Sequence, residues 1–187
     1  MSRLPLQTPE TAPEASRPFL QKSLANNGFL PNLVASLANA PVALETYLTV
    51  GEINSRASLT LAEREVVQIT AAGIHGCGFC VAGHTAVALK KAKLPETLVN
   101  EIRDQRPLSD PRLDAVAVFT RAVIGARGAV SDAELAAFKA AGFDDAAALE
   151  VILGVSLATL CNFANNLAQN ELNPQLAVYR WEPKAAA

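Results

Sequence analysis

The sequence predicts an all-α protein, a bundle of about eight helices. Half of the 187 residues are hydrophobic but only 5% are aromatic, and the abundant alanine favours packed helices over sheet. Two capping boxes, Thr60 to Glu63 and Ser131 to Glu134, mark helix starts. Apolar residues recur at helical spacing between prolines and glycines, and no β-hairpin signal is present. The length suits one domain with a sizeable core.

The predicted helices follow an extended N-terminal arm, residues 1–13, which contains three prolines and few apolar groups. We expect this arm to order only against a partner subunit. Residues 14–187 are expected to form a single domain that ends in a tail marked by Pro174 and Pro183, with the sole tryptophan, Trp181. The helices are expected over 15–26, 31–37, a stretch beginning near 41, 60–76, 77–93, 94–104, 110–126, 131–142 and 144–169.

Charge and hydropathy exclude several classes of partner. The net charge is −2 with both signs interspersed, so neither nucleic acid nor an anionic membrane is expected to bind. The N-terminus lacks the pattern of a secretory signal. The longest apolar stretch, 151–161, is shorter than the roughly 20 residues of a bilayer span, which predicts a buried core helix. We therefore expect a soluble, cytoplasmic protein.

The cysteines indicate a reactive dithiol. Cys77 and Cys80 are one helical turn apart, close enough for a disulfide, whereas a secreted disulfide scaffold would need more cysteines at wider spacing. If a helix begins here, its free amides and its dipole favour thiolate over thiol, and thiolate is the nucleophile. Gly76 and Gly78 make the turn permissive.

His84 lies one turn after Cys80 on the same helix face, where it can exchange a proton with that thiol near neutral pH. Proximity to His84 favours Cys80 as the attacking sulfur. The position closest to the helix start favours Cys77 instead. The residues alone leave this choice open.

A zinc site is the competing interpretation of the same residues. Cys77, Cys80 and His84 could be joined by either His75 or Glu65 as the fourth ligand. Structural zinc usually uses two ligand pairs separated by a longer spacer, and no second pair is present in the sequence. We therefore expect neither a metal nor a cofactor.

Three further polar residues have less specific patterns. Glu65 lies in a helix with Arg64 and Gln68 as its expected polar face, and the pattern alone favours a solvated carboxylate over a functional one. His75 at a helix end is predicted to be a C-cap rather than a group that tunes the thiols. Cys161, in the apolar run of the last long helix, is predicted to be a packed core cysteine.

The spacing of four of these residues resembles a known signature. Glu65, eleven intervening residues, Cys77-x-x-Cys80, three more residues and His84 are similar to the AhpD-like alkylhydroperoxidases of the carboxymuconolactone decarboxylase superfamily. The flanking text, Leu-Ala-Glu-Arg-Glu-Val-Val at 61–67 and His-Thr-Ala-Val-Ala-Leu at 84–89, also looks like that family. The resemblance spans about residues 40–125, and the helix with 162–166 is similar to the one that completes the family's bundle.

The resemblance implies an AhpD-like all-helical fold, a homo-oligomer (trimer, hexamer or dimer) and a peroxidase activity on hydrogen peroxide or alkyl hydroperoxides. Cys80 would be the peroxidatic thiolate that becomes a sulfenic acid, and Cys77 would resolve it to a disulfide. Glu65 and His84 would form a proton relay. An external dithiol, either a thioredoxin-like protein or a dihydrolipoyl carrier, would then reduce the disulfide.

One departure and two alternatives accompany this interpretation. Between the cysteines stand Gly78 and Phe79, where the best-known peroxidase members carry polar residues including a histidine. A decarboxylase acting on a lactone acid belongs to the same superfamily, but that branch does not use a dithiol. A non-enzymatic redox- or metal-sensing protein, whose dithiol only switches an interface, is the third candidate.

Overall fold

The computed structural model describes residues 2–182, in which nine α-helices, two short 3-10 helices and no strand are found. Eight of the nine α-helices have eight or more residues, which confirms the all-α prediction. The α-helices are α1 Arg17–Asn27, α2 Asn32–Leu37, α3 Pro41–Asn54, α4 Leu61–Ile74, α5 Gly78–Lys90, α6 Glu96–Arg103, α7 Pro111–Gly125, α8 Asp132–Ala140 and α9 Asp145–Ala168. The 3-10 helices are Glu14–Ser16 and Pro174–Tyr179.

Helix α4 is the centre of the bundle and packs against α5, α6, α7 and α9. It begins at the predicted capping box, where the Glu63 amide donates to the Thr60 hydroxyl and the Thr60 amide donates to the Glu63 carboxylate. Nine of its 14 residues are buried. Because neighbours cover it on several sides, α4 has almost no solvent face.

Helix α9 is the longest, with 24 residues, and within residues 2–182 it is the one helix long and apolar enough to cross a membrane by length and composition. It packs against α2, α3, α4, α5, α7 and α8. Its buried residues include Val151, Gly154 and Cys161. One face of α9 is therefore part of the core, as the stretch 151–161 predicts, but nine of its 24 residues are buried and its opposite face is exposed.

The N-terminal arm lies against the chain's own bundle. The Arg3 amide donates to the Ala168 carbonyl at 2.7 Å, and the Gln7 amide donates to the Ala35 carbonyl at 3.1 Å. Ala12 is buried. The expectation that the arm orders only against a partner subunit is therefore wrong, because backbone hydrogen bonds to α2 and α9 already hold it.

The C-terminal segment folds back on the helix that carries the cysteines. The 3-10 helix Pro174–Tyr179 packs against α5, and the Arg103 guanidinium donates to the Arg180 carbonyl at 2.8 Å. Trp181 packs against the hydrophobic core. Pro183, the second proline expected to mark the tail, lies outside the described residues, as do 184–187 and Met1.

Candidate active site

A disulfide joins Cys77 and Cys80 at the start of α5, with 5.3 Å between their α-carbons. The chain turns from α4 into α5 through Gly76, whose φ of 68° is a left-handed conformation that glycine adopts without strain. Cys77 is the N-cap of α5, and its sulfur accepts the Cys80 amide at 3.3 Å. The predicted placement of the dithiol at a helix start is confirmed.

This placement has electrostatic consequences for the reduced protein. An amide directed at the Cys77 sulfur and the positive end of the α5 dipole both stabilise a thiolate relative to a thiol. Both cysteines are nonetheless almost inaccessible, with 0% of Cys77 and 4% of Cys80 exposed. A reagent can therefore approach them only through a cavity or after a local movement.

The carboxylate of Glu65 and the imidazole of His84 form a hydrogen bond of 2.8 Å between Oε2 and Nδ1. Only 6% of Glu65 is exposed, so the pattern-based expectation of a solvated carboxylate is wrong. The reason is the central position of α4, which offers this side chain no solvent face. The turn through Gly76 returns the chain beside α4, and α5 thereby brings His84 next to Glu65.

The Glu65 carboxylate changes the protonation of His84. Burial disfavours the imidazolium and acts to lower the pKa of His84, but the negative charge of Glu65 and its hydrogen bond outweigh burial, and the pKa of His84 is raised above its usual 6.5. The pair therefore holds a proton on His84 more firmly than an isolated histidine would, one turn from Cys80.

A cavity of about 580 Å³ opens beside Cys80 and His84. Most of its wall is apolar, and no carboxylate lines it in the described part of the chain. Its lining residues come from α1, α2, α3, α5, α9, the loops beside α1 and the C-terminal 3-10 helix: Ser23, Asn26, Asn27, Phe29, Pro31, Leu33, Val34, Tyr47, Leu48, Phe79, Cys80, Gly83, His84, Ala86, Val87, Lys90, Lys91, Cys161, Gln175 and Leu176. Cys80, and not Cys77, contributes to this wall.

Tyr47 of α3 also lines the cavity, although its place between Leu44 and Leu48 at helical spacing predicts only a packed side chain. Burial, together with the nearby Cys161 and Glu65, raises the pKa of the Tyr47 phenol. Its hydroxyl makes no hydrogen bond with residues 2–182, which leaves it available to a ligand. The sequence does contain a signal for this role, the single phenol between Leu44 and Leu48. A tyrosine buries its ring, but its hydroxyl usually forms a hydrogen bond with a polar partner.

His75 and Cys161 lie close to their predicted places. His75 is the C-cap of α4, as predicted, and its ring contacts Asn162 and Phe163 of α9. Cys161 is a buried free thiol whose pKa burial raises to about 12, consistent with a packed cysteine that also touches the cavity. Across residues 2–182, no three His, Cys, Asp or Glu side chains are grouped to hold a metal ion.

A second, more polar cavity of about 440 Å³ lies beside the backbone that flanks Cys77, and neither cysteine lines it. Gly76, Gly78 and Phe79 line it together with Trp181 and polar residues of α9. The Trp181 carbonyl lies 2.7 Å from the position that a β-carbon on Gly78 would occupy, so only glycine allows the two backbones to come this close. The C-terminal segment therefore covers the backbone beside Cys77.

An all-helical bundle with a dithiol at one helix start, near a histidine and a buried carboxylate, is the arrangement that the sequence resemblance predicts. Residues 41–121 match the model of the carboxymuconolactone decarboxylase family. This segment is therefore similar to that family, and the chain has the AhpD-like fold. The comparison with curated proteins gave no significant match.

Solved structures share the fold over nearly the whole chain. An uncharacterised peroxidase-related protein with an AhpD core from Ralstonia eutropha JMP134 has a TM-score of 0.86 and 22% identity, covering 97% of each chain. A peroxidase-related protein from Silicibacter sp. TM1040 has a TM-score of 0.78 and 18% identity, covering 93% of this chain and 92% of its own. The debrominase Bmp8 has a TM-score of 0.74 and 16% identity, covering 94% of each.

Proposed function

We propose that this protein is a thiol-dependent peroxidase that reduces hydrogen peroxide or organic hydroperoxides through a Cys77–Cys80 dithiol–disulfide cycle. The observation that carries the proposal is the arrangement around Cys80. This sulfur lies at the wall of a cavity, His84 stands one turn away on the same wall, and Cys77 is within disulfide distance. Cys80 is therefore placed to attack the peroxide, His84 to transfer a proton, and Cys77 to form the disulfide.

The first step forms a sulfenic acid. The Cys80 thiolate attacks one peroxide oxygen, the O–O bond breaks, and the leaving alkoxide or hydroxide takes a proton from the imidazolium of His84. Glu65 supports the imidazolium through its hydrogen bond, and its negative charge keeps the proton near the reacting oxygens.

The second and third steps return the protein to its reduced state. Cys77 attacks the Cys80 sulfenic acid, a disulfide forms and water leaves. An external dithiol then reduces the disulfide by exchange and is itself oxidised. Cys77 is fully buried, so on this side the donor needs the C-terminal segment to move away from Gly78, which would open the polar cavity beside Gly76 and Gly78 to the disulfide. We expect a thioredoxin-like protein or a dihydrolipoyl carrier in this role.

The test is oxidation of the reduced protein by one equivalent of peroxide, followed by turnover with dithiol donors. We expect two of the three thiols to be lost, with Cys161 remaining, and sustained peroxide consumption with at least one donor. Slow turnover together with a change of assembly upon oxidation would instead support a redox sensor. Loss of no thiol would contradict the peroxidase proposal.

Reductive dehalogenation is the second candidate, because two solved structures with this fold are of the debrominase Bmp8. One of them is a cysteine-to-alanine variant in complex with 2,3,4-tribromopyrrole, with 14% identity and a TM-score of 0.74. The same dithiol could supply the two electrons that replace a carbon–bromine bond by carbon–hydrogen and release bromide. Bromide release from 2,3,4-tribromopyrrole by the reduced protein, faster than peroxide reduction, would favour this function.

We infer that the protein is a homo-oligomer, from the outer face of α9. Four large apolar side chains on one side of this helix are exposed: Leu149, Ile152, Phe163 and Leu167. An exposed apolar stripe of this kind usually marks an interaction surface. Light scattering should give a mass that is a multiple of the chain mass, and Leu149→Asp with Leu167→Asp should lower it. A monomeric wild-type protein would contradict this inference.

A further inference from the structure

Helix α5 lines the large cavity along its whole length. Most of its contributing residues recur every three or four positions and so lie on one helix face, namely Cys80, Gly83, His84, Val87, Lys90 and Lys91, and Phe79 and Ala86 flank that face. From Cys80 to the two lysines the helix rises about 15 Å. The cavity therefore extends along this helix, with Cys80 near one end and the two lysines near the other.

The wall between these ends is apolar. Leu33 and Val34 of α2, Leu48 of α3, Val87 of α5 and Leu176 of the C-terminal 3-10 helix line the cavity. A small, strongly hydrated peroxide gains nothing from such a surface. An alkyl chain displaces water from it, which is the main source of affinity for apolar ligands.

The ammonium end carries uncompensated positive charge. In residues 2–182 neither Lys90 nor Lys91 forms an ion pair, although other lysines and arginines do. The Lys90 ammonium lies 5.4 Å from the centre of the Tyr179 ring, which holds it near the cavity without neutralising it. Both lysines are exposed, and no carboxylate of the described chain lines this cavity, although Glu65 lines the adjoining cavity that Lys91 shares. An anionic group bound in the larger cavity would therefore meet positive charge and no negative charge on its wall.

We propose that the substrate is an elongated amphiphile: an organic hydroperoxide whose carboxylate lies at Lys90 and Lys91 while its peroxide group reaches Cys80. The span of about 15 Å corresponds to on the order of a dozen extended carbon atoms between the two groups. This inference rests on the proposed peroxidase function. The chemistry is unchanged: the hydroperoxide becomes the alcohol, Cys80 becomes the sulfenic acid, and Cys77 releases water on forming the disulfide.

The experiment compares three peroxides below micelle-forming concentration: linoleic acid hydroperoxide, its methyl ester and tert-butyl hydroperoxide. Rates of oxidation of the pre-reduced protein are measured for the wild type and for the double variant Lys90→Gln, Lys91→Gln. The matched control is Lys93→Gln, because Lys93 is exposed and lines neither active-site cavity.

We expect the wild type to prefer the acid to its ester and to tert-butyl hydroperoxide. The double variant should lose roughly tenfold on the acid, the scale of two partly exposed ion pairs, and little on the other two. Added salt should reduce the preference for the acid, because it screens the lysines. The Lys93→Gln protein should behave as the wild type.

Two outcomes overturn the inference and leave the peroxidase intact: equal wild-type rates on acid and ester, or an equal loss on all three peroxides in the double variant. A wild-type protein that reacts with hydrogen peroxide but with none of the three organic peroxides overturns this inference alone. A protein that reacts with none of the four overturns the peroxidase proposal itself, and this inference with it.

Discussion

The two sulfurs of the disulfide face two different surroundings. Cys80 lies on the wall of a mostly apolar cavity that His84 and Tyr47 also line, and within residues 2–182 no carboxylate lines it. Cys77 is fully buried, and the adjacent Gly78 lines a more polar cavity and lies beneath the backbone of Trp181. The cysteines are one turn apart, so the difference comes from the packing of α3, α9 and the C-terminal segment around them, rather than from the local sequence.

This difference assigns a direction to the proposed cycle. An apolar cavity with a proton donor suits attack on a hydroperoxide, since a dry site strengthens the electrostatic interactions made there. A polar cavity at the surface suits a protein or small dithiol that carries electrons. Substrate and reductant would thus approach from opposite sides, and the variants below test each side separately.

The largest expected effect comes from removing the sulfur on the cavity side. In Cys80→Ser a hydroxyl replaces the thiolate, so peroxide consumption should fall to the rate of the buffer alone. Consumption is followed with a ferrous-iron peroxide assay in the presence of dithiothreitol. The matched control is Cys161→Ser, which should retain turnover because this thiol is not part of the cycle. Turnover by the Cys80→Ser protein would remove Cys80 from its assigned role.

Glu65→Gln should have the next largest effect. It keeps the size of the side chain but removes the charge that holds the proton on His84, so the rate of sulfenic acid formation should fall roughly 100-fold. Stopped-flow oxidation of the reduced protein measures this rate. An unchanged rate would show that the pair is not a relay.

Glu63→Gln is the control on the same helix. Glu63 is equally buried, but it accepts from Thr60 and from Arg112 at 2.7 Å and lies away from the cavity. We expect this variant to lose about 1 to 2 kcal/mol of unfolding free energy, since it weakens a cap and an ion pair. Its oxidation rate should stay within about twofold of the wild type. Similar rate losses in both variants would indicate a packing effect.

The His84 proton should also be visible in stability. Because the pKa of His84 is raised in the folded state, protonation of this residue stabilises the folded state. The stabilisation is complete below the pKa of 6.5 in the unfolded state and is lost as the pH rises through the pKa of the folded state. In urea unfolding of the disulfide form, the wild type should therefore lose stability relative to His84→Asn as the pH rises above 6.5. A difference that grows with pH would contradict the raised pKa.

The smallest effect is expected on the Cys77 side, from Gly78→Ala. The added β-carbon would stand 2.7 Å from the Trp181 carbonyl, so the C-terminal segment has to shift. We expect a loss of about 1 to 2 kcal/mol in urea unfolding and a change in the fluorescence of this sole tryptophan. Gly83→Ala, in the same helix with open space at its β-carbon, should not lose stability. Equal stability of both variants would show that the segment does not cover Gly78.

The sequence predicted the helices well where local chemistry defines their ends. The boxes at Thr60 and Ser131 and the Asp110 cap begin helices as expected. Helix α5 ends at Lys90 rather than near 93, because Lys93 takes a left-handed φ of 58° and the Leu94 amide donates back to the Ala88 carbonyl. A lysine at this position does not predict a left-handed backbone conformation.

The candidate site was predictable only in part. Spacing along one helix related Cys77, Cys80 and His84, since neighbours on a helix are fixed by its geometry. The helical pattern predicted a solvated Glu65, and this was wrong because the exposure of a helix face depends on how many neighbouring helices cover it. Tyr47 joins the site from α3, and Trp181 approaches Gly78 across more than 100 residues of sequence. Contacts of that kind come from tertiary packing and leave no local signal.

The assignment of Cys80 as the attacking sulfur is tested most directly by trapping the sulfenic acid. Reduced Cys77→Ser and reduced Cys80→Ser proteins are each treated with one equivalent of peroxide and with dimedone, and the adducts are mapped by peptide mass spectrometry. We expect a dimedone adduct on Cys80 in the first variant and no adduct on Cys77 in the second. An adduct on Cys77 with none on Cys80 would reverse the roles of the two sulfurs and contradict the account.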